Sequence, residues 1–379
     1  MKKIAVGFAG AGWMGKALLS RVVERDDAEV LALCERNPER ASATLAEFGL
    51  PANRYEPDFR QMAERDDIDA VFVCTPNAFH GPQSIIALEA GKHLFCEKPC
   101  ATSFEDFTRQ IELERRNRSQ ITMVDYILHF DSMERRLAGM IAEGTFGKVT
   151  KIQVNYRHPV NIEGEKAWKL KADIMGDAIG MGINHAVSVL VSAMASQAKP
   201  VEVFASSMPA QVRPFEPDPI WSIQIRFDNG AVGFCFGNID SANGYDAYHN
   251  VSGTKGAFIF DSLLDRPQKV RYWSEAETGG KWVYPLDRER CRREGLSEVA
   301  WPEDTSTPDS GDVIHHQTEL CVDHFLTCIQ KGEQSPLSFV RSAIVAEIGW
   351  AAQMSSSLRR PIELPLDYEY ARSHFANEG

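Results

Sequence analysis

The chain has 379 residues, of which 44% are apolar and 25% charged, and a formal net charge of −12. That length exceeds one ordinary hydrophobic core, so two domains are expected. The acidic balance argues against nucleic acid and anionic membrane as partners, because both repel a negative surface.

No apolar run reaches the roughly eighteen residues needed to span a bilayer. The N-terminus enters a strand pattern at Lys3–Phe8 with no signal-peptide core before it, so a cytoplasmic protein is expected. The eight cysteines form no CxxC, and the ten histidines form no HxxxH or HExxH. This usage points to reduced thiols, no disulfides and no metal site.

In chain order, Ile4–Ala9 is a short apolar run closed by glycines, and Lys16–Arg25 has helical periodicity. Val30–Cys34 is a second strand, and Pro38–Phe48 a helix entered through proline. Ala70–Cys74 and His93–Cys96 are further buried strands, separated by a helix over Gln83–Ala90 that Gly91 ends. A charged helix, Phe104–Arg118, and a short strand, Ile121–Val124, follow. Near-continuous apolar strands alternating with helices predict a parallel, doubly wound Rossmann sheet in a first domain, residues 1–125.

After a helix at Met133–Glu143 the pattern changes. Val149–Arg157, Val201–Ser207, Ile220–Phe227, Ala231–Asn238, Tyr245–Ser252, Ala257–Phe260 and Lys269–Trp273 alternate apolar and polar residues, with a hairpin signal at Asp228-Asn229-Gly230. They predict an open-faced, mostly antiparallel sheet in a second domain, residues 126–379. One helix, Ala178–Met194, interrupts it. Ala300–Asp312 reads as an exposed loop, and helices over Val313–Lys331 and Phe339–Leu358 close the chain.

Gly10-Ala11-Gly12-Trp13-Met14-Gly15 follows the first strand and opens the first helix. Gly10 permits the tight turn, Gly12 lets backbone approach a pyrophosphate, and Gly15 allows close helix–strand packing. The helix start, with Trp13 and Met14 in its first turn, offers N–H groups and a positive dipole end. Glu35 ends the second strand, where a carboxylate accepts bonds from ribose hydroxyls and favours NAD. The neighbouring Arg36 keeps NADP open through a 2′-phosphate. Thr75-Pro76-Asn77 and His80 close another strand, where they either wall the ribose and nicotinamide or cap the next helix. Cys96-Glu97-Lys98-Pro99 presents a lysine at a strand end, in a turn that proline restricts and that a cis bond would direct. A desolvated lysine there can donate to a substrate hydroxyl.

The glycine turn, Thr75-Pro76-Asn77 with His80, and Ala90-Gly91-Lys92-His93 running into Glu97-Lys98-Pro99 resemble the Gfo/Idh/MocA oxidoreductase family. The resemblance extends to the closing helices and Arg360–Leu364. It implies a Rossmann domain joined to an open-faced sheet, and chemistry on sugars, inositols and polyols. It also implies Lys98 as the catalytic or substrate-orienting lysine and Glu97 beside the nicotinamide. The family's Asp and His stretch reads here Gly176-Asp177-Ala178-Ile179-Gly180-Met181-Gly182-Ile183-Asn184-His185. Aligning histidines puts Met181 at the aspartate position and keeps His185 as acid/base. Aligning on Gly182 puts Asn184 at the histidine position. Either way the aspartate is missing, and Asp177, Asn184 or Asp125 could replace it.

Tyr126 and His129, beside the unusual Asp125, are further candidates for the pocket. So are Arg157 at a strand end and Trp168-Lys169, which matches the family's substrate-loop tryptophan followed by a basic residue. Indole stacks on sugar faces, and the basic groups suit hydroxyls or an acidic substituent. The sequence thus predicts an NAD(P)-dependent sugar or polyol oxidoreductase that associates through its open sheet face as a homodimer or homotetramer. Two alternatives stand beside it: an NAD-dependent glycosidase working by transient oxidation and elimination, and a non-catalytic NAD(P)-binding regulator.

Overall fold

A computed structural model of the chain describes residues 3–242, 245–302, 305 and 317–377. Five strands form a parallel sheet in the order β2-β1-β3-β4-β5. They are β1 (Ile4–Ala9), β2 (Ala28–Cys34), β3 (Ala70–Val73), β4 (His93–Cys96) and β5 (Thr122–Val124). Every residue of β1, β3 and β5 is buried, which is why these segments read as unbroken apolar runs. The helices between them start where the sequence offers caps. Asn37 accepts from the Arg40 N–H (3.0 Å) ahead of Pro38, and Ser103 from the Asp106 N–H (3.1 Å). The order reverses beside β1, so a crevice opens at the carboxyl ends of the strands. Gly10, Glu35, Thr75, Lys98 and Asp125 all follow strand ends on that edge.

The second sheet has eight strands in the order β12-β11-β10-β6-β9-β8-β7-β13. They are β6 (Val149–Arg157), β7 (Pro200–Met208), β8 (Ile220–Phe227), β9 (Val232–Asn238), β10 (Asp246–Gly253), β11 (Gly256–Asp261), β12 (Val270–Ser274) and β13 (Ile362–Glu363). Most pairs are antiparallel, but β6 and β9 run parallel. The chain leaves β6 through a helical crossover, and the meander β7–β8–β9 then lays its third strand beside β6. Alternation along β8 and β9 buries one face of the sheet, on which the helix Asn184–Met194 packs against β6 and β9 and the helix Ala343–Leu358 against β7. The other face carries Phe204, Phe234 and Phe236, exposed by 46%, 38% and 37%.

Several boundaries differ from the expected ones. The helix expected over 178–194 begins as a π-helical turn, Ile179–Ile183, before regular helix resumes at Asn184. The helix expected from Val313 begins at Thr318 within the described residues, and most of the 300–312 loop lies outside them. The edge strand β13 and a last helix, Tyr368–Asn377, were not expected at all. The helix Thr318–Lys331 returns to the first sheet. Phe325 meets Phe72 and Phe95 edge-on, with ring centroids 5.4 and 5.6 Å apart, and Arg25 pairs with Asp323. All eight cysteines are buried thiols. Among the described residues no helix is long and apolar enough to cross a membrane.

Candidate active site

The glycine turn is built as its spacing requires. Gly10 has φ +95°, and a Cβ there would lie 2.5 Å from the Cys74 carbonyl oxygen. Gly12 precedes the helix Trp13–Val23 with no side chain capping it, and a Cβ on Gly12 would meet nothing within 4 Å. The open space over Gly12 and the uncapped helix start fit a pyrophosphate. Trp13 is 58% exposed at this rim.

Glu35 is buried at the end of β2. One oxygen accepts from the Ala11 N–H (3.0 Å), the other from the Asn37 N–H and the Arg40 guanidinium (both 2.9 Å). Burial works to raise its pKa, but these donors outweigh it and hold the carboxyl below its ordinary value. Each carboxylate oxygen accepts two bonds, so room remains for a ribose hydroxyl. Arg36 is exposed, whereas Arg40, not singled out in the sequence, lies against Glu35 and also pairs with Glu165 of the loop across the cleft. Its clue was its place in the helix turn following the Asn37 cap, from which a long side chain reaches back to the strand end.

After β3, Thr75 Oγ1 donates to Gln83 (2.7 Å), and Pro76 precedes a short turn of 3-10 helix. The Asn77 amide donates to the Met175 carbonyl (2.8 Å), so it spans to the second half of the chain. His80 is buried, its ring nitrogens 2.7 Å from the Pro99 carbonyl and 2.6 Å from the Thr75 carbonyl. These contacts favour the imidazolium, but burial is the larger effect and pushes the ring down to about 4.

The Lys98–Pro99 bond is cis, and Lys98 is half-buried. Its Nζ donates to the Met181 carbonyl (2.6 Å), so a backbone oxygen from the π-turn meets the lysine. A Cβ on Gly180 would fall 3.0 Å from Pro99, so glycine lets this turn press against the Lys-Pro loop. Burial lowers the Lys98 pKa, partly offset by the charges of Glu97 and Asp125. Glu97 and Asp125 are both buried beside it.

Asp177 accepts from the Gly180 N–H (2.8 Å) and Asn184 donates to the Gly180 carbonyl (3.0 Å), so both brace the π-turn. They line a small cavity with Pro99, Tyr126 and Trp350. His185 is buried with its ring 5.5 Å from that of Tyr156. The Tyr156 hydroxyl bonds His158 Nδ1 (2.9 Å), and the Tyr245 ring closes the group 5.0 Å from His158. Tyr156 and Tyr245 were missed as site candidates because strand alternation alone marks them only as inward or edge positions, whereas His158 follows Arg157 in the basic, aromatic stretch that the sequence marks.

On the loop over the cleft, Lys169 Nζ lies 5.9 Å from the Trp168 ring centroid. Burial, then the charges of Lys98 and Lys166, push Lys169 down to about 8. Arg157 is engaged by the buried Asp246. His129 is half-buried against Phe130 (5.4 Å between centroids), and burial, His324 and Arg135 lower its pKa.

Residues 4–126 match the family described as oxidoreductase family, NAD-binding Rossmann fold, and residues 135–259 match the GFO/IDH/MocA C-terminal domain. Among relatives, glycosyl hydrolase family 109 protein 1 of Bacteroides thetaiotaomicron is 25% identical, the match covering 71% of this chain and 63% of that protein. An alpha-N-acetylgalactosaminidase of Bacteroides fragilis is 30% identical over 41% of this chain and 38% of its own length. Inositol 2-dehydrogenase of Salmonella paratyphi B is 26% identical over 67% of this chain and 72% of its own. The match thus spans less than two thirds of the two glycosidase relatives. The fold is that of a levoglucosan dehydrogenase solved with NADH and L-sorbose (TM-score 0.76, 23% identity, covering 97% of this chain and 100% of that one). An aldose-aldose oxidoreductase of Caulobacter crescentus gives TM-score 0.76 at 21% identity, covering 96% and 100%. With residues 4–126 and 135–259 matched, well over half of the chain, the protein belongs to the Gfo/Idh/MocA oxidoreductase family and has an NAD-binding Rossmann domain.

Proposed function

We propose that the protein is an NAD-dependent oxidoreductase acting on a hydroxyl or carbonyl carbon of a sugar, sugar derivative or polyol. The observation that carries this reading is the Lys98 ammonium, half-buried at the end of β4 and held across the cleft by the Met181 carbonyl. When bound, the nicotinamide supplies a hydride acceptor or donor. The open backbone at Gly12 and the helix start hold the pyrophosphate, and Glu35 takes the ribose hydroxyls. An ionised Glu35 repels a 2′-phosphate, which favours NAD over NADP.

Lys98 binds the substrate oxygen and stabilises the negative charge that develops on it. His185, enclosed by Tyr156, takes the hydroxyl proton in the oxidative direction. Trp168 offers a stacking face to the sugar, and Lys169 suits an acidic substituent. The three exposed phenylalanines of the open sheet face form the contact with a second copy. Phe234→Arg should then convert an oligomer to monomer in sedimentation equilibrium, and an unchanged mass would remove this contact.

A second reading, redox-neutral glycoside cleavage through transient oxidation, is favoured by the similarity to the family 109 and alpha-N-acetylgalactosaminidase proteins. One panel separates the readings. Purified protein is scanned for retained nicotinamide, then given sugars, polyols and glycosides while NADH and released aglycone are both followed. NADH formed in step with substrate supports the dehydrogenase, and aglycone without NADH supports the glycosidase. Tight NAD binding with neither product leaves the regulator. Lys98→Met should lower turnover about 10²–10⁴-fold while NAD still binds. Turnover within a few-fold of wild type would sink the role of Lys98.

A further inference from the structure

Beneath Lys98 lies a pair of carboxyl groups that the proposed chemistry leaves unused. Asp125 is 1% exposed and Glu97 6%. The Asp125 backbone N–H bonds the Cys96 carbonyl (2.9 Å), which sets residue 125 at the end of β5 directly beside the end of β4. The two side-chain carboxyls face each other at these neighbouring strand ends, where the charge of Asp125 acts on Glu97. Yet among the described residues no N–H or O–H donor reaches Glu97 Oε1 or either oxygen of Asp125, and the Cys321 thiol that faces Asp125 is a weak donor. Glu97 Oε2 accepts only the Lys98 backbone N–H, at 3.1 Å. Two ionised carboxylates, both acceptor-only, repel each other when buried side by side, and a proton on one of them supplies a strong donor between them.

The surrounding groups give the same charge count. Lys98 is the cation facing the pair. The Cys74, Cys96 and Cys321 thiols also face it, from β3, β4 and the helix Thr318–Lys331, and burial keeps each as S–H. His80, near Lys98, is held toward its neutral form by burial. One proton on the pair leaves one negative charge against one ammonium. With no proton the cluster would carry excess negative charge, and with two the ammonium would be uncompensated.

We propose that Glu97 and Asp125 share a single proton, and that the one remaining negative charge of the pair keeps Lys98 an ammonium, which makes Asp125 a positioning residue for the catalytic lysine. Burial raises both carboxyls, with the charge of Asp125 adding to the effect on Glu97, in keeping with this state. The pH-profile part below rests on the proposed role of Lys98; the proton sharing does not.

The test is infrared spectroscopy of the full-length protein in D2O at neutral pH, where exposed carboxyls are ionised. Wild type should show the carbonyl stretch of one buried protonated carboxyl. Glu97→Gln and Asp125→Asn, whose amides replace the shared proton with a fixed donor, should each lose it. No such band in wild type, or a band that survives both substitutions, would overturn the proposal, and a missing wild-type band does so even where a variant fails to fold. In pH profiles of kcat/KM, each single variant keeps one negative charge and should keep the high-pH limb near its wild-type position. The double variant removes that charge and should move the limb down by about one pH unit or more, a tenfold effect. Equal shifts in single and double variants would mean a packing role only. If the proposed function fails instead, turnover is absent while the infrared band remains.

Discussion

Lys169 and Lys98 set two ammonium groups in one cleft, and the strain of that arrangement shows on Lys169, which burial and its charged neighbours push down to about 8. A carboxylate or phosphate on the substrate would relieve both costs at once. Lys169 is a cation below its pKa and neutral above it. Affinity for an acidic sugar should therefore be full near neutral pH and fall above about pH 8, approaching tenfold per pH unit. A neutral parent sugar should show no such decline. Measuring KM for a uronic acid and its parent from about pH 6 to about pH 9.5 checks this. Parallel profiles would leave Lys169 without a role in anion recognition. Lys98 was legible from its turn, and Glu35 from its distance past the glycines. Arg40 was not, because its place at the strand end depends on a bond to Glu35 made by folding.

At the level of the turn and first helix, two glycines that look alike in sequence carry different burdens. Gly10 occupies a left-handed conformation with backbone 2.5 Å from any added Cβ. Gly10→Ala is expected to destabilise the protein by about 2–4 kcal/mol, seen as a lowered Tm without ligand. Gly12 has φ −74° and open space in front of it. Gly12→Ala should leave stability within about 0.5 kcal/mol yet weaken NAD binding about tenfold or more, measured by titration calorimetry. Unchanged affinity would mean that the dinucleotide does not cross this turn. The π-turn over Ile179–Ile183 is the opposite case. Its apolar periodicity reads as ordinary helix, and two family alignments fit its glycines. What settles its geometry is contact: Asp177 and Asn184 bond Gly180, and the freed Met181 carbonyl meets Lys98.

Across the whole molecule, the first sheet is completed by a helix nearly two hundred residues downstream of its last strand. Phe325, fully buried, closes an aromatic cluster with Phe72 and Phe95 on one face of that sheet. Phe325→Ala should cost about 3–5 kcal/mol. It should also weaken NAD binding, because the strand ends that hold the cofactor rest on this layer. Thermal unfolding with and without NAD measures both. A loss confined to the second sheet, with the cofactor domain melting as in wild type, would contradict this coupling. We propose a domain division near residue 125 in chain order, with the later helix Thr318–Lys331 packed on the first domain.

The two architectures and the strand-end motifs were legible along the chain. Apolar periodicity, glycine turns and helix caps are local properties, acting over a few residues of chain. The fold class and the positions of Gly10, Gly12, Glu35 and Lys98 were therefore readable. Only the tertiary structure decided which acceptor meets Lys98, what surrounds His185, that β6 and β9 run parallel, and which carboxyl lies against Glu97. Those outcomes depend on burial and on contacts between segments far apart in the chain, where the removal of water turns a modest polar preference into a required partner.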